Sequence, residues 1–167
     1  LDTAARSLAL LNAKTKEEAA RLAGDLTALN QSRKALTEKG KEEAIRIIET
    51  TELKNDRVLV VYLPDCHESL AGIIAGRIRE KYHRPAFVLT GGETSAKGSG
   101  RSIESYSMYE ELVKCADLMI QFGGHPMAAG LSIEEKNIEE FRRRLNVNCT
   151  LTDEELRPKI VIDVPMP

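Results

Sequence analysis

Tryptophan is absent from these 167 residues, Phe and Tyr together supply seven, and there are three histidines and three cysteines. With so few rings, Tyr106 and Tyr109 are needed first for packing, although either could stack on a nucleic-acid base. Cys66, Cys115 and Cys149 are odd in number and far apart, which does not suggest a disulfide framework and fits a reducing cytoplasm. Cys66-His67 has no second Cys/His pair at ligand spacing, so zinc is not expected. No apolar run reaches the roughly 18 to 20 residues of a bilayer-crossing helix, and the start lacks a signal-peptide layout. No membrane association is expected, and the expected location is cytoplasmic. A net charge of -2 removes any overall positive field, so contact with a polyanion has to come from a local arrangement.

What is present is ordinary for a globular chain: 42% hydrophobic and 30% charged residues, enough for one domain plus appendages. Leu1 and Pro167 read as ends cut from a longer polypeptide. Residues 1–13 are rich in Ala and Leu and read as the end of a helix. Thr15 with Glu18 makes a capping-box pattern, and helical composition continues without proline to about Thr50. Leu22, Leu26, Leu29, Leu36 and Ile47 keep a four-and-three spacing that Arg33 and Gly40 interrupt, which suits a connecting helix packed intermittently rather than a coiled coil.

From Arg57 the pattern alternates. Residues 57–63 and 86–90 read as buried strands, 68–82 as the helix between them, 96–103 and 128–133 as extended, and 108–115 and 138–145 as helical. The expected fold is α/β, a sheet flanked by helices and preceded by a long connecting helix, in a domain of about 90 residues. Residues 159–164 read as a strand of a further domain. The expected division is 1–52 connector, 53–149 α/β domain and 150–167 the truncated start of that further domain.

Two glycine-rich clusters carry the chemical interest: Lys97-Gly98-Ser99-Gly100-Arg101-Ser102 and residues 123–130, Gly-Gly-His-Pro-Met-Ala-Ala-Gly. Glycines let a backbone approach an anion, hydroxyls add donors, and an Arg fork can hold two phosphate oxygens where a lysine cannot. In this reading Gly98-Ser99-Gly100 forms a turn that brings Arg101 to a phosphate. The same glycines also suit tight turns that bind nothing. The expected phosphate contacts are Ser99, Gly100, Arg101, Ser102, Gly123, Gly124 and His125. Arg77 joins them from the run Arg77, Arg79, Lys81 and Arg84, in which Arg77 and Lys81 share a helix face that suits either a DNA backbone or plain solvation. His67 is expected to cap the helix that starts at Glu68, His83 to be structural, and Arg142-Arg143-Arg144 to be a solvated face balanced by Glu139 and Glu140.

Residues 123–130, Ser99-Gly-Arg-Ser-Ile103 and the stretch Cys66-His-Glu-Ser-Leu-Ala-Gly-Ile-Ile-Ala-Gly-Arg-Ile78 resemble the DHH-associated domain of RecJ-type exonucleases. Ser69-Leu70-Ala71 departs from the Gly-Val-Ile common in those relatives. The resemblance covers about Leu53 to Leu145; the helix before it resembles their interdomain connector, and residues 151–167 the entry to their OB-type domain. It implies a two-part site: a DHH domain holding Mn²⁺ or Mg²⁺, missing here, and this domain facing it across a groove to grip single-stranded DNA for 5′-to-3′ degradation in repair and recombination. It implies no catalytic residue, metal ligand or cofactor in this chain, which has no Asp-His pair and no convergent set of carboxylates and imidazoles for a two-metal centre. The partners implied are single-stranded DNA and the DHH domain. The alternatives are a phosphodiesterase domain for oligonucleotides or cyclic dinucleotides, a non-catalytic RNA-binding module, and a scaffold contacting only other repair proteins.

Overall fold

The Thr15 hydroxyl accepts from the Glu18 amide at 3.1 Å, and the Glu18 carboxylate accepts from the Lys14 amide at 3.1 Å. Donors left without partners at a helix start are thereby satisfied. Helix α2, Lys16–Thr50, runs from this cap, after a shorter α1, Thr3–Leu11. The computed structural model describes residues 3–159. The strand expected over 159–164 therefore lies, beyond Lys159, outside the described residues. The chain divides into two compact units, Leu1–Lys39 and Gly40–Pro167. In the first, Leu22 is buried while Leu36 is half exposed, so the apolar seam of α2 is used intermittently.

The second unit holds a mixed sheet. Its elements are β1 (Leu59–Leu63), α3 (Glu68–Tyr82), β2 (Ala86–Thr90), β3 (Ala96–Arg101), α4 (Met108–Val113), β4 (Met119–His125), β5 (Ala128–Ile133) and α5 (Ile138–Val147). The strand order is β1-β2-β3-β5-β4, with β1 and β2 parallel and every other pair antiparallel. A parallel pair needs a crossover, which α3 supplies. His67 caps that helix as expected, its Nδ1 accepting from the Ser69 amide at 3.2 Å. His83 closes it in the left-handed region at φ 49°.

The period of two in the strands separates two cores. Leu59, Val61, Leu63, Ala86 and Val88 pack with Leu70, Ile74 and Ile78 of α3 and with Ala44 and Ile48 of α2. On the opposite face Val60, Phe87, Leu89, Leu131 and Ile133 pack with Met108 and Leu112 of α4 and Phe141 and Leu145 of α5. Phe87 and Phe141 meet edge to face, 5.4 Å between centroids. Asn146 pins α5 to the start of β1: its Oδ1 accepts from the Arg57 and Val58 amides at 2.9 and 3.0 Å, and its Nδ2 donates to Val58 O at 3.0 Å.

Two sequence expectations are corrected. Gly98-Ser99-Gly100 is not a turn but the middle of β3, and Gly123-Gly124-His125 completes a strand, β4, that was not anticipated. The reason is packing. Gly98 and Gly100 sit on the core face of β3, where a Cβ at Gly100 would stand 2.6 Å from Phe87 Cε1 and 2.7 Å from Met108 Sδ. Gly124 has φ +153° and a Cβ there would stand 2.4 Å from Ala128 O, so the end of the β4–β5 hairpin accepts only glycine.

Candidate nucleic-acid interface

Residues opposite each other in an antiparallel ladder carry their side chains to the same face. The registers of β3, β5 and β4 therefore define three rows on the face away from Phe87 and Phe141: Lys97, Ser132 and Gln121; Ser99, Gly130 and Gly123; Arg101, Ala128 and His125. α3 packs against β2 and β3 on this side. Gln121, Gly123, His125 and Gly130 beyond it are exposed. A Cβ at Gly123 would meet nothing within 4 Å, and one at Gly130 only Gly98 O at 3.8 Å. The Gly130–Gly123 part of the middle row is thus bare backbone, with Ser99 beside it and rows carrying polar and cationic side chains on either side.

The Arg101 guanidinium lies across α3 at Gly72 and donates from Nη1 to Gly100 O at 2.8 Å. Among the described residues no carboxylate pairs with it. His125 Nδ1 accepts from the Met127 amide at 3.3 Å across the Pro126-Met127 turn, so the neutral ring carries its proton on Nε2 as a donor. Lys97 borders the face and pairs with Glu68 at 2.7 Å. The hydrogen bond from Lys97 holds the Glu68 carboxyl below its ordinary value and raises the lysine in return.

Of the eight residues expected to contact phosphate, the ladder brings Ser99, Arg101, Gly123 and His125 to one face. Gly100 and Gly124 point to the other. Ser102 is buried, and its hydroxyl donates to Tyr106 O at 2.5 Å, so it serves the 102–106 turn. Arg77 is exposed and paired with Glu80 at 3.1 Å. It lies five residues beyond Gly72, about 140° around the helix from the stripe that meets β3.

Arg79, seven residues beyond Gly72, shares that stripe, and its Nε is buried without a partner. Lys81 lies over the Tyr82 ring, and Arg84 donates to Lys54 O and Asp56 O, so neither joins the face. Tyr106 is core, its hydroxyl buried and its pKa raised by desolvation, which removes it as a base-stacking ring. Tyr109 pairs with the Phe122 ring instead. The Arg142–Arg144 run is taken up by Asp56, Glu139, Glu140 and Asp117.

The sequence reading missed Gln121 and Ser132 on the face, and from the basic run it chose Arg77 where the helix stripe brings Arg79. On β5 the alternation of Gly130 and Ser132 with Ala129, Leu131 and Ile133 was the available signal. Among the described residues, no three His, Cys, Asp or Glu side chains converge as metal ligands, and no helix is long and apolar enough to cross a membrane.

The DHHA1 domain family matches residues 55–150. The single-stranded-DNA-specific exonuclease RecJ of Salmonella typhimurium is 38% identical over 99% of this chain and 30% of its own length. Crystal structures of RecJ from Thermus thermophilus in complex with Mg²⁺ and with Mn²⁺ superpose with TM-scores of 0.76 and 0.74. Both are 31% identical over 85% of this chain and cover 22% and 21% of those chains. The chain thus spans about 30% of the length of the curated relative it matches. With the family match covering more than half of it, and with the mixed sheet and long helix of the RecJ structures, the chain belongs to the DHHA1 domain family.

Proposed function

We propose that this chain is the strand-holding part of a single-strand-specific, 5′-to-3′ DNA exonuclease of repair and recombination, and that the β3–β5–β4 face grips the sugar-phosphate backbone. The observation that carries this is the bare Gly130–Gly123 row with Ser99 beside it, flanked by Arg101 and His125 on one side and Lys97 on the other. Backbone without side chains admits a phosphate chain closely, and an arginine with no carboxylate partner among the described residues offers it charge-assisted donors. The similarity to RecJ proteins supports single-stranded DNA as the polymer.

Bond cleavage belongs to a DHH domain of the parent protein, with Mn²⁺ or Mg²⁺ supplying Lewis-acid and nucleophile activation there. This chain's own residues do not fit such a centre, since no ligand set converges among those described. We assign 1–52 to the connector, 53–149 to the gripping domain and 150–167 to the approach to an OB-type domain.

The test is a salt series of oligothymidylate affinity for the 167-residue chain. Binding is expected to be micromolar or weaker and to fall as salt rises, with a log-log slope of about -0.7 per phosphate contact. Arg101→Ala should flatten the slope by about 0.7 and Arg77→Ala should leave it unchanged. Equal losses in the two variants would reduce Arg101 to one charge of a diffuse surface.

A further inference from the structure

We infer that Gly72 is a positioning residue for Arg101: the absent side chain leaves the slot in which the guanidinium lies, and so holds it against α3 at the border of the open face. This rests on the phosphate-holding reading of that face. Gly72 is interior to α3 and lies outside the left-handed region, since Gly124 alone among the described glycines has a positive φ. Its backbone therefore gives no reason to prefer glycine, and glycine in a helix interior is destabilising relative to alanine. What the position gains is space.

That space is filled by one group. A Cβ at Gly72 would stand 2.7 Å from Arg101 Nη2, 3.4 Å from Cζ and 3.6 Å from Ser99 Cβ. The first distance is closer than side chains approach each other, so an alanine there displaces the guanidinium. Among the described residues Arg101 makes a hydrogen bond from Nη1 to Gly100 O, and no carboxylate there holds it. The slot is thus a steric guide for a long side chain that no carboxylate among the described residues holds. Fixing that chain in advance lowers the ordering entropy that phosphate binding has to overcome.

Gly76, one turn further along the same helix, has nothing within 4 Å of the equivalent point. The two positions share residue type and helix and differ in what lies above them. Gly76→Ala is therefore the matched control. It should raise the melting temperature by about 2–4 °C through helix propensity and leave DNA binding unchanged.

The experiment is an oligothymidylate titration of the 167-residue chain and of the Gly72→Ala, Gly76→Ala, Arg101→Ala and Gly72→Ala/Arg101→Ala variants, with circular dichroism to confirm the fold of each. Arg101→Ala is expected to weaken binding roughly 10- to 100-fold. Gly72→Ala should approach that loss, and the double variant should bind like Arg101→Ala alone, because Gly72 acts only through the arginine. Were Gly72→Ala to bind like the parent chain while Arg101→Ala is impaired, the positioning role would be overturned and the phosphate-holding face would stand. A Gly72→Ala loss that persists undiminished without Arg101, or an unfolded Gly72→Ala, would assign Gly72 a structural role instead. Unimpaired binding by Arg101→Ala would overturn the face itself and the positioning role with it.

Discussion

At the scale of single residues, Arg101 and Ser102 are neighbours with opposite expected phenotypes. Both were legible as polar donors beside glycines. Strand pairing separates them: Arg101 ends β3 on the open face, while Ser102 turns inward with its hydroxyl bonded to Tyr106 O. Ser102→Ala should therefore lower stability by about 1–2 kcal/mol, the cost of leaving a buried carbonyl without its donor, and leave oligonucleotide affinity intact. Paired thermal melts and binding curves check this, and a loss of affinity at unchanged stability would return Ser102 to the site. Glu68 offers a gain in place of a loss. Its carboxylate neutralises Lys97 at the rim of the face, so Glu68→Gln should strengthen single-strand binding a few-fold at low salt, and unchanged or weaker binding would place Lys97 outside the interface.

At the scale of elements, the βαβ unit was legible because its strands are short β-branched runs and its helix begins at a capped Glu68 and ends before Arg84-Pro85. β4 was not. It is an edge strand with an irregular register between Met119 and Gln121, an exposed Ile120 and two glycines at its end, so neither alternation nor composition announces it. The candidate site depended on that strand, which is why its residues were legible as types but not as rows. Attachment of α5 was also invisible, since nothing local marks Asn146 as the acceptor for two backbone amides far away in sequence.

Asn146→Ala should cost about 2–3 kcal/mol by orphaning the Arg57 and Val58 amides, and Asn146→Asp, which keeps the acceptor, should cost less. Chemical denaturation of both variants decides it. The same helix sets an acid sensitivity. Hydrogen bonds from Arg143 and Arg144 lower Glu140 to about 2, and Arg144 also lowers Asp117. Folded values below unfolded ones mean that this stabilisation is complete above the ordinary carboxylate range and is lost as pH falls toward about 2. Replacing Arg144 with Gln should shrink the acid-induced drop in melting temperature across that window.

At the scale of the whole molecule, the proposed role of the three rows is to hold a backbone without reading bases. No Phe or Tyr occupies any of their nine positions, so an oligonucleotide of abasic residues should bind about as well as oligothymidylate, in contrast to stacking platforms that lose affinity with every missing base. The purified chain should not degrade a 5′-phosphorylated oligonucleotide with Mn²⁺ or Mg²⁺, because the ligands for a two-metal centre are not assembled among its described residues. The most direct measurement of where the strand lies is amide chemical-shift mapping of the chain titrated with oligothymidylate. The expected result is a set of perturbations following the ladder through Ser99, Arg101, Gly123, His125 and Gly130, with little change at Arg77 or along α5. Perturbations concentrated on α5, or at Tyr109, Val113 and Ile120 with the three rows silent, would contradict the assignment of the sheet face as the nucleic-acid interface.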